Sequence, residues 1–155
     1  MIPARDGHQI PARLYFPSTG QPEATKLPLY IYLHGGGYLF GSIETEDAHC
    51  RLISVQVPCI VLNVDYRHTP EWQFPTPFED VFDAVDWITG SRRAKDFRID
   101  LDNVVIGGVS AGATMALAVA TKDVYGVRTP FVPSERSPIS GRLAMIQSFV
   151  DKMTS

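Results

Sequence analysis

Polar and apolar positions along this chain follow two different periods, and the switches between them outline its elements. Residues 9–16 (Gln-Ile-Pro-Ala-Arg-Leu-Tyr-Phe) alternate in the manner of a strand, after a turn at Gly7-His8 and before a polar loop over 17–22. Residues 29–33 (Leu-Tyr-Ile-Tyr-Leu) and 59–64 (Cys-Ile-Val-Leu-Asn-Val) are short apolar runs of β-forming residues, the pattern of strands covered on both faces. A third such run, 103–108, ends in Gly107 and Gly108. Between them, residues 44–56 have helical potential that Pro58 ends, and a Pro-rich loop occupies 69–77. Phe78, Val81, Phe82, Val85 and Ile88 then recur at helical spacing until Gly90, and an Ala-rich helix is predicted over 114–121. Residues 143–150 read as one further apolar strand. Short buried strands alternating with helices predict an α/β fold, with a mostly parallel central sheet and helices on both faces.

Two glycine-containing motifs fall at the ends of these strands. The first, Gly108-Val109-Ser110-Ala111-Gly112, stands between the strand ending at Gly108 and the Ala-rich helix. A serine on so sharp a strand-to-helix turn needs a small residue two before and two after it, because the backbone folds tightly back on itself. Ser110 is thereby the candidate nucleophile, and the helix that follows it directs its N-terminal amides toward developing negative charge. The second motif, His34-Gly35-Gly36-Gly37, directly follows the strand over 29–33. Its glycines free the backbone to turn N–H groups toward a ligand oxygen, as an oxyanion hole requires. Such donors contribute roughly 3–4 kcal/mol each to a transition state. The expected hole combines the amides of Gly36 and Gly37 with that of Ala111. Neither cluster suits a nucleotide: Ala113 stands where a phosphate-binding loop needs lysine, and Val109 and Phe40 occupy required glycine positions of the dinucleotide fingerprint.

Composition narrows the function by exclusion. The chain has 155 residues, enough for one domain with a single core. A net charge of −3 and the absence of a basic run argue against nucleic acid as a partner. No apolar stretch follows Met1 or is long enough to span a membrane, so neither a secretory signal nor a membrane span is expected. Cys50 and Cys59 lack the spacing of a zinc site and read as small packing residues, which suits a reducing, cytoplasmic setting.

The motifs, taken in order, resemble those of the hormone-sensitive-lipase-like branch of the α/β-hydrolases, a family of carboxylester hydrolases. The resemblance rests on His34-Gly35-Gly36-Gly37-Tyr38, on Asp65-Tyr66-Arg67-His68-Thr69-Pro70-Glu71, on Phe74-Pro75 through Glu79-Asp80, and on the Ser110 turn. It implies a lipase-like serine hydrolase working through an acyl-enzyme on a small-molecule ester, without metal or organic cofactor. Ser110 is its implied nucleophile, and Gly36, Gly37 and Ala111 its oxyanion donors. His34, Gly35, Gly108 and Gly112 support the loops. It further implies that residues 65–71 are structural, with Arg67 bracing the loop against a carboxylate such as Glu71 or Asp80. His8, His49 and His68 read as surface or packing histidines.

The family's triad order is serine, then acid, then histidine. No histidine follows Ser110; Asp123, Glu135 and Asp151 are the downstream carboxylates. The expectation is a single, incomplete domain over 1–155, the nucleophile half of the fold without its C-terminal strands or the N-terminal cap. Such a chain is expected to be weak or inactive by itself, since an unassisted serine hydroxyl is a poor nucleophile. An unpaired edge at 143–150 would also invite self-association. The family's similarity to the plant gibberellin receptors leaves a second reading open, a binder of small ligands that performs no turnover.

Overall fold

The computed structural model describes residues 1–18 and 25–122. The expected strand over 143–150 and the carboxylates Asp123, Glu135 and Asp151 lie outside the described residues. The chain opens with an antiparallel ribbon, β1 (Ile2–Pro3) and β2 (Gln9–Ile10), whose turn carries Gly7 at φ 88°. Pro11 separates β2 from β3 (Ala12–Tyr15), so the alternating stretch over 9–16 makes two strands rather than one. Proline has no N–H to give a ladder, and the pairing changes partner at that point.

The remaining elements follow as β4 (Leu27–Leu33), α1 (Asp47–Gln56), β5 (Ile60–Val64), α2 (Thr76–Thr89), α3 (Ser91–Asp96), β6 (Ile99–Gly108) and α4 (Ala111–Lys122). The main sheet has the order β3-β5-β4-β6. β4 runs parallel to both neighbours, and β3 pairs antiparallel with β5.

Alternation of side chains along the central strands divides the core into two layers. Leu29, Ile31 and Leu33 of β4 and Ile60, Leu62 and Val64 of β5 face one side. There they pack with Val81, Ala84, Val85 and Ile88 of α2, with Met115, Ala116 and Val119 of α4, and with Ile2 and Ile10 of the ribbon. The intervening Tyr32, Cys59 and Val61 face the other side, against Cys50 and Ile53 of α1. Helices thus cover both faces, and β4 and β5 are the mostly apolar runs that such coverage demands, with the side-chain amide of buried Asn63 donating to the Ile43 carbonyl at 3.0 Å.

β4 begins at Leu27, across Pro28, rather than at 29, and α1 at Asp47 rather than 44, and β6, α3 and α4 also differ from expectation. β6 begins at Ile99 rather than 103, because Ile99 pairs with Leu27 ahead of an irregularity in the ladder. Polar Asp100, Asp102 and Asn103 hide this half of the strand in the sequence. α3 has Ala94 as its buried residue and so carries no apolar period to read. α4 starts at Ala111, immediately after Ser110, rather than at 114.

Candidate active site

The parallel register brings three strand ends into one row. Leu33 pairs with Val64 on one side and with Gly108 on the other. The segments leaving these strands, which begin at His34, Asp65 and Val109, therefore emerge side by side at the carboxyl edge of the sheet. In an open α/β sheet this edge is where ligands bind.

The turn after β6 brings its backbone close to that of β4. A Cβ at either Gly108 or Gly112 would overlap the Leu33 carbonyl oxygen, so both positions require glycine for space rather than for flexibility. The Val109 N–H donates to that same carbonyl at 3.3 Å, and the Gly112 N–H closes the turn onto the Val109 carbonyl at 2.9 Å. Between them Ser110 adopts φ 51°, a left-handed conformation that costs an L-residue with a Cβ about 1–2 kcal/mol. The surrounding turn holds it there, and Ser110 stands exposed at the head of α4.

The glycine loop lies against this turn. A Cβ on Gly35 would press on the Val109 carbonyl at 3.2 Å. Gly36, Gly37 and Tyr38 all have positive φ (125°, 63° and 65°), and a Cβ at Gly36 would overlap the Phe40 backbone. The Gly36 carbonyl accepts the Leu39 and Phe40 amides, both at 3.0 Å. Among the described residues, the amides of Gly36, Gly37 and Ala111 have no acceptor. Tyr38 fixes the far side: its carbonyl accepts the Thr69 amide at 2.8 Å and the Thr69 hydroxyl at 3.0 Å, and its ring stacks on Phe78.

His34 supports the loop from below and is 0% exposed. Its Nδ1 lies 2.8 Å from the Gly35 carbonyl, which can only accept, so Nδ1 carries the proton. The ring stacks on Tyr66 (centroids 4.2 Å apart, planes at 11°), and the Tyr66 hydroxyl donates to the His34 carbonyl at 2.7 Å. Burial pushes the Tyr66 phenol pKa up, which keeps it a donor.

Arg67 holds the next loop. Its guanidinium and its own amide bind Asp80, which is 0% exposed, and Nη1 binds Asp6 at 2.7 Å. Of the two carboxylates expected to brace it, Asp80 is the one that does. Asp6, 61 residues away, was not foreseen and has no local signature. The guanidinium also packs over Trp72 at 4.5 Å. These partners raise the Arg67 pKa, the Asp80 hydrogen bond most of all.

His68 packs among the rings beneath the glycine loop. It lies edge-on to both His34 and Tyr66, and burial, with His34 beside it, holds its imidazole below the ordinary 6.5. His34, Asp65 and His68 are the one group of ligand-type side chains that gathers among the described residues. Neighbouring strand ends in parallel register were the available signal, since a Leu33–Val64 pair places the residues after each side by side. His8 and His49 lie elsewhere, against Trp72 and Tyr32. Exposed Leu39, Phe40, Phe74 and Val109 belong to the same loops and give this edge an apolar surface.

Comparison with known proteins follows the same lines. Residues 30–129 match the family described as alpha/beta hydrolase fold. An arylesterase of Saccharolobus solfataricus is 38% identical over 133 residues, which cover 83% of this chain and 42% of that protein. An ethyl acetate hydrolase of Pseudomonas putida is 36% identical over 78% of this chain and 37% of its own length. Among solved structures, a thermostable carboxylesterase from a metagenomic library superposes with a TM-score of 0.72 at 42% identity, over 81% of this chain and 40% of that one. The chain thus spans about two fifths of the length of these relatives. Among the described residues no helix is long and apolar enough to cross a membrane.

Proposed function

Because the chain belongs to the alpha/beta hydrolase fold family, in its hormone-sensitive-lipase-like branch, we propose that it is the nucleophile-bearing part of a carboxylic ester hydrolase, with Ser110 as the nucleophile. The observation that carries this reading is the left-handed Ser110, exposed at φ 51° on a turn packed against the glycine loop. An exposed, left-handed serine beside unpartnered amides supports a chemical role for its hydroxyl.

In the proposed reaction Ser110 Oγ adds to the ester carbonyl while its proton passes to a base. The carbonyl oxygen becomes an oxyanion held by the amides of Gly36, Gly37 and Ala111. Collapse of this intermediate breaks the bond to the alkoxy oxygen, which leaves with a proton as the alcohol. Water then repeats the addition on the acyl-serine, releasing the acid and restoring Ser110. The apolar surface of Leu39, Phe40, Phe74 and Val109 suits the hydrocarbon part of a small ester. The resemblance of the chain to an arylesterase and an ethyl acetate hydrolase supports the same substrate class.

His34 is unsuited to the role of base, being buried with Nδ1 committed to Gly35. No histidine follows Ser110 in the 155 residues. We therefore infer weak turnover for the 155-residue chain by itself. Added imidazole can stand in for a missing base, which gives the test. Hydrolysis of p-nitrophenyl acetate with imidazole is measured for the wild type and for Ser110→Ala, both checked for folding. The proposal expects a saturable, imidazole-dependent rate in the wild type above that of the variant. Equal rates in two folded proteins would sink it, and saturable ester binding without turnover would favour the non-catalytic binder.

A further inference from the structure

We propose that His34, Asp65 and His68 form a binding site for a single divalent transition-metal ion of the zinc class, beneath the glycine loop. The inference concerns a different chemistry from ester hydrolysis and stands whether or not Ser110 is a nucleophile.

Hydrogen-bond accounting at His34 leads to it. Since Nδ1–H donates to the Gly35 carbonyl, a neutral ring presents a bare lone pair at Nε2. That lone pair faces the Asp65 carboxylate, with Oδ1 3.6 Å away. Both atoms are acceptors, and 3.6 Å is too long for a hydrogen bond even with a proton between them. His34 is 0% exposed, and Nε2 has no hydrogen-bond partner; the same is true of the buried Nε2 of His68. One ligand atom from each of His34, Asp65 and His68 lies within 4.8 Å of the other two. Two buried ring nitrogens and a partly exposed carboxylate meet here with no hydrogen bond from the described residues, and leaving a buried polar atom in that state costs about 1–3 kcal/mol. A cation bound between them removes the cost.

Donor type selects the cation. Two imidazoles and one carboxylate suit zinc, copper, nickel or iron(II), and disfavour calcium and magnesium, which require several oxygen ligands. Zinc bonds of about 2.0–2.1 Å in a tetrahedron place ligand atoms about 3.3 Å apart. The 3.6 Å between His34 Nε2 and Asp65 Oδ1 is within a few tenths of that edge. The support behind the ligands is also what a metal site uses: a coordinating imidazole almost always donates its second N–H to a carbonyl or carboxylate, which His34 does at Gly35. Stacking on Tyr66 and edge contact with His68 fix the ring planes. The only thiols, Cys50 and Cys59, are buried with pKa values pushed up to about 12 and about 11, and offer no competing thiolate. The family resemblance implied no metal for this chain; positions 34, 65 and 68 come together only through strand register.

The probe is Zn²⁺ alone, titrated into the chelator-stripped 155-residue chain by calorimetry. One ion per chain is expected, with ring-nitrogen NMR shifts at His34 and His68 and none at His8 and His49. His68→Leu and Asp65→Asn should each weaken binding by at least about tenfold, and His49→Ala should leave it unchanged. No stoichiometric binding to the folded wild type, or binding that shifts other histidines instead, overturns the proposal. The NMR measurement needs no variant, so it decides the question even if a substitution unfolds the chain.

Discussion

The loop after β4 and the loop after β5 leave adjacent strands side by side, yet they hold their shapes by opposite means. The glycine loop and the Ser110 turn depend on what is missing. No Cβ is tolerated at Gly36, Gly108 or Gly112, where it would overlap backbone atoms of Phe40 or Leu33. The loop after β5 depends on what is present: a guanidinium with five donors, matched to a fully buried carboxylate and to a second one from the N-terminal turn. The first region should therefore fail when an atom is added and the second when atoms are removed. A site that must bring backbone amides within reach of a reacting oxygen can only be built the first way. A brace that must tie distant segments together uses the second.

The largest expected effect is in the brace. Asp80→Ala leaves the Arg67 guanidinium, 6% exposed, without its main partner. Urea denaturation should show a loss of about 3–5 kcal/mol, as for other buried ion pairs deprived of one member. Next comes Gly112→Ala, a single methyl, which must displace the β4 backbone. About 1–3 kcal/mol should be lost, and the Ser110 turn should distort with it. If Gly112→Ala proved neutral and Asp80→Ala mild, the contrast between the two regions would collapse.

A third substitution sharpens the contrast by reversing the sign. Ser110→Gly removes the cost of a left-handed φ, so the chain should gain about 1 kcal/mol while losing all reactivity at that position. Stability and reactivity moving in opposite directions would mark Ser110 as retained for chemistry. The smallest effect belongs to Asp6, whose carboxyl is held below its ordinary 3.8 mainly by the Arg67 hydrogen bond. With the folded pKa below the unfolded one, its contribution is present above about pH 4 and fades as pH falls through the folded value. Asp6 is half exposed, so Asp6→Asn should cost less than about 0.5 kcal/mol at neutral pH and flatten the acid limb slightly.

What could be read from the sequence follows from how local each cause is. β4 and β5 were legible because strands buried on both faces are mostly apolar, and α2 because its face repeats at helical spacing. The Ser110 turn and the glycine loop were legible because steric exclusion of a Cβ leaves glycine as a visible mark. The first half of β6 was not, because Asp100, Asp102 and Asn103 mask the strand pattern. The first turn of α4 was hidden by Ala111 and Gly112, small residues that read as part of the bend. Long-range partners left no trace: Asp6 reaches Arg67 across 61 positions. The meeting of His34 with Asp65 and His68 needed the pairing of Leu33 with Val64, which only the folded sheet supplies.

The central claim is that Ser110 is the atom on which an acyl group would be carried, and acyl transfer itself is the most direct measure of it. Deacylation needs the same base as acylation, so a chain without that base should hold its acyl group once formed. The 155-residue chain is incubated with p-nitrophenyl acetate and imidazole, both are then removed by rapid desalting so that no base remains for deacylation, and the acetylated position is mapped by peptide mass spectrometry. The account expects one acetyl group, on Ser110, and none on the corresponding peptide of Ser110→Ala. Acetylation spread over lysines or other serines, with Ser110 unmodified in the folded chain, would contradict it.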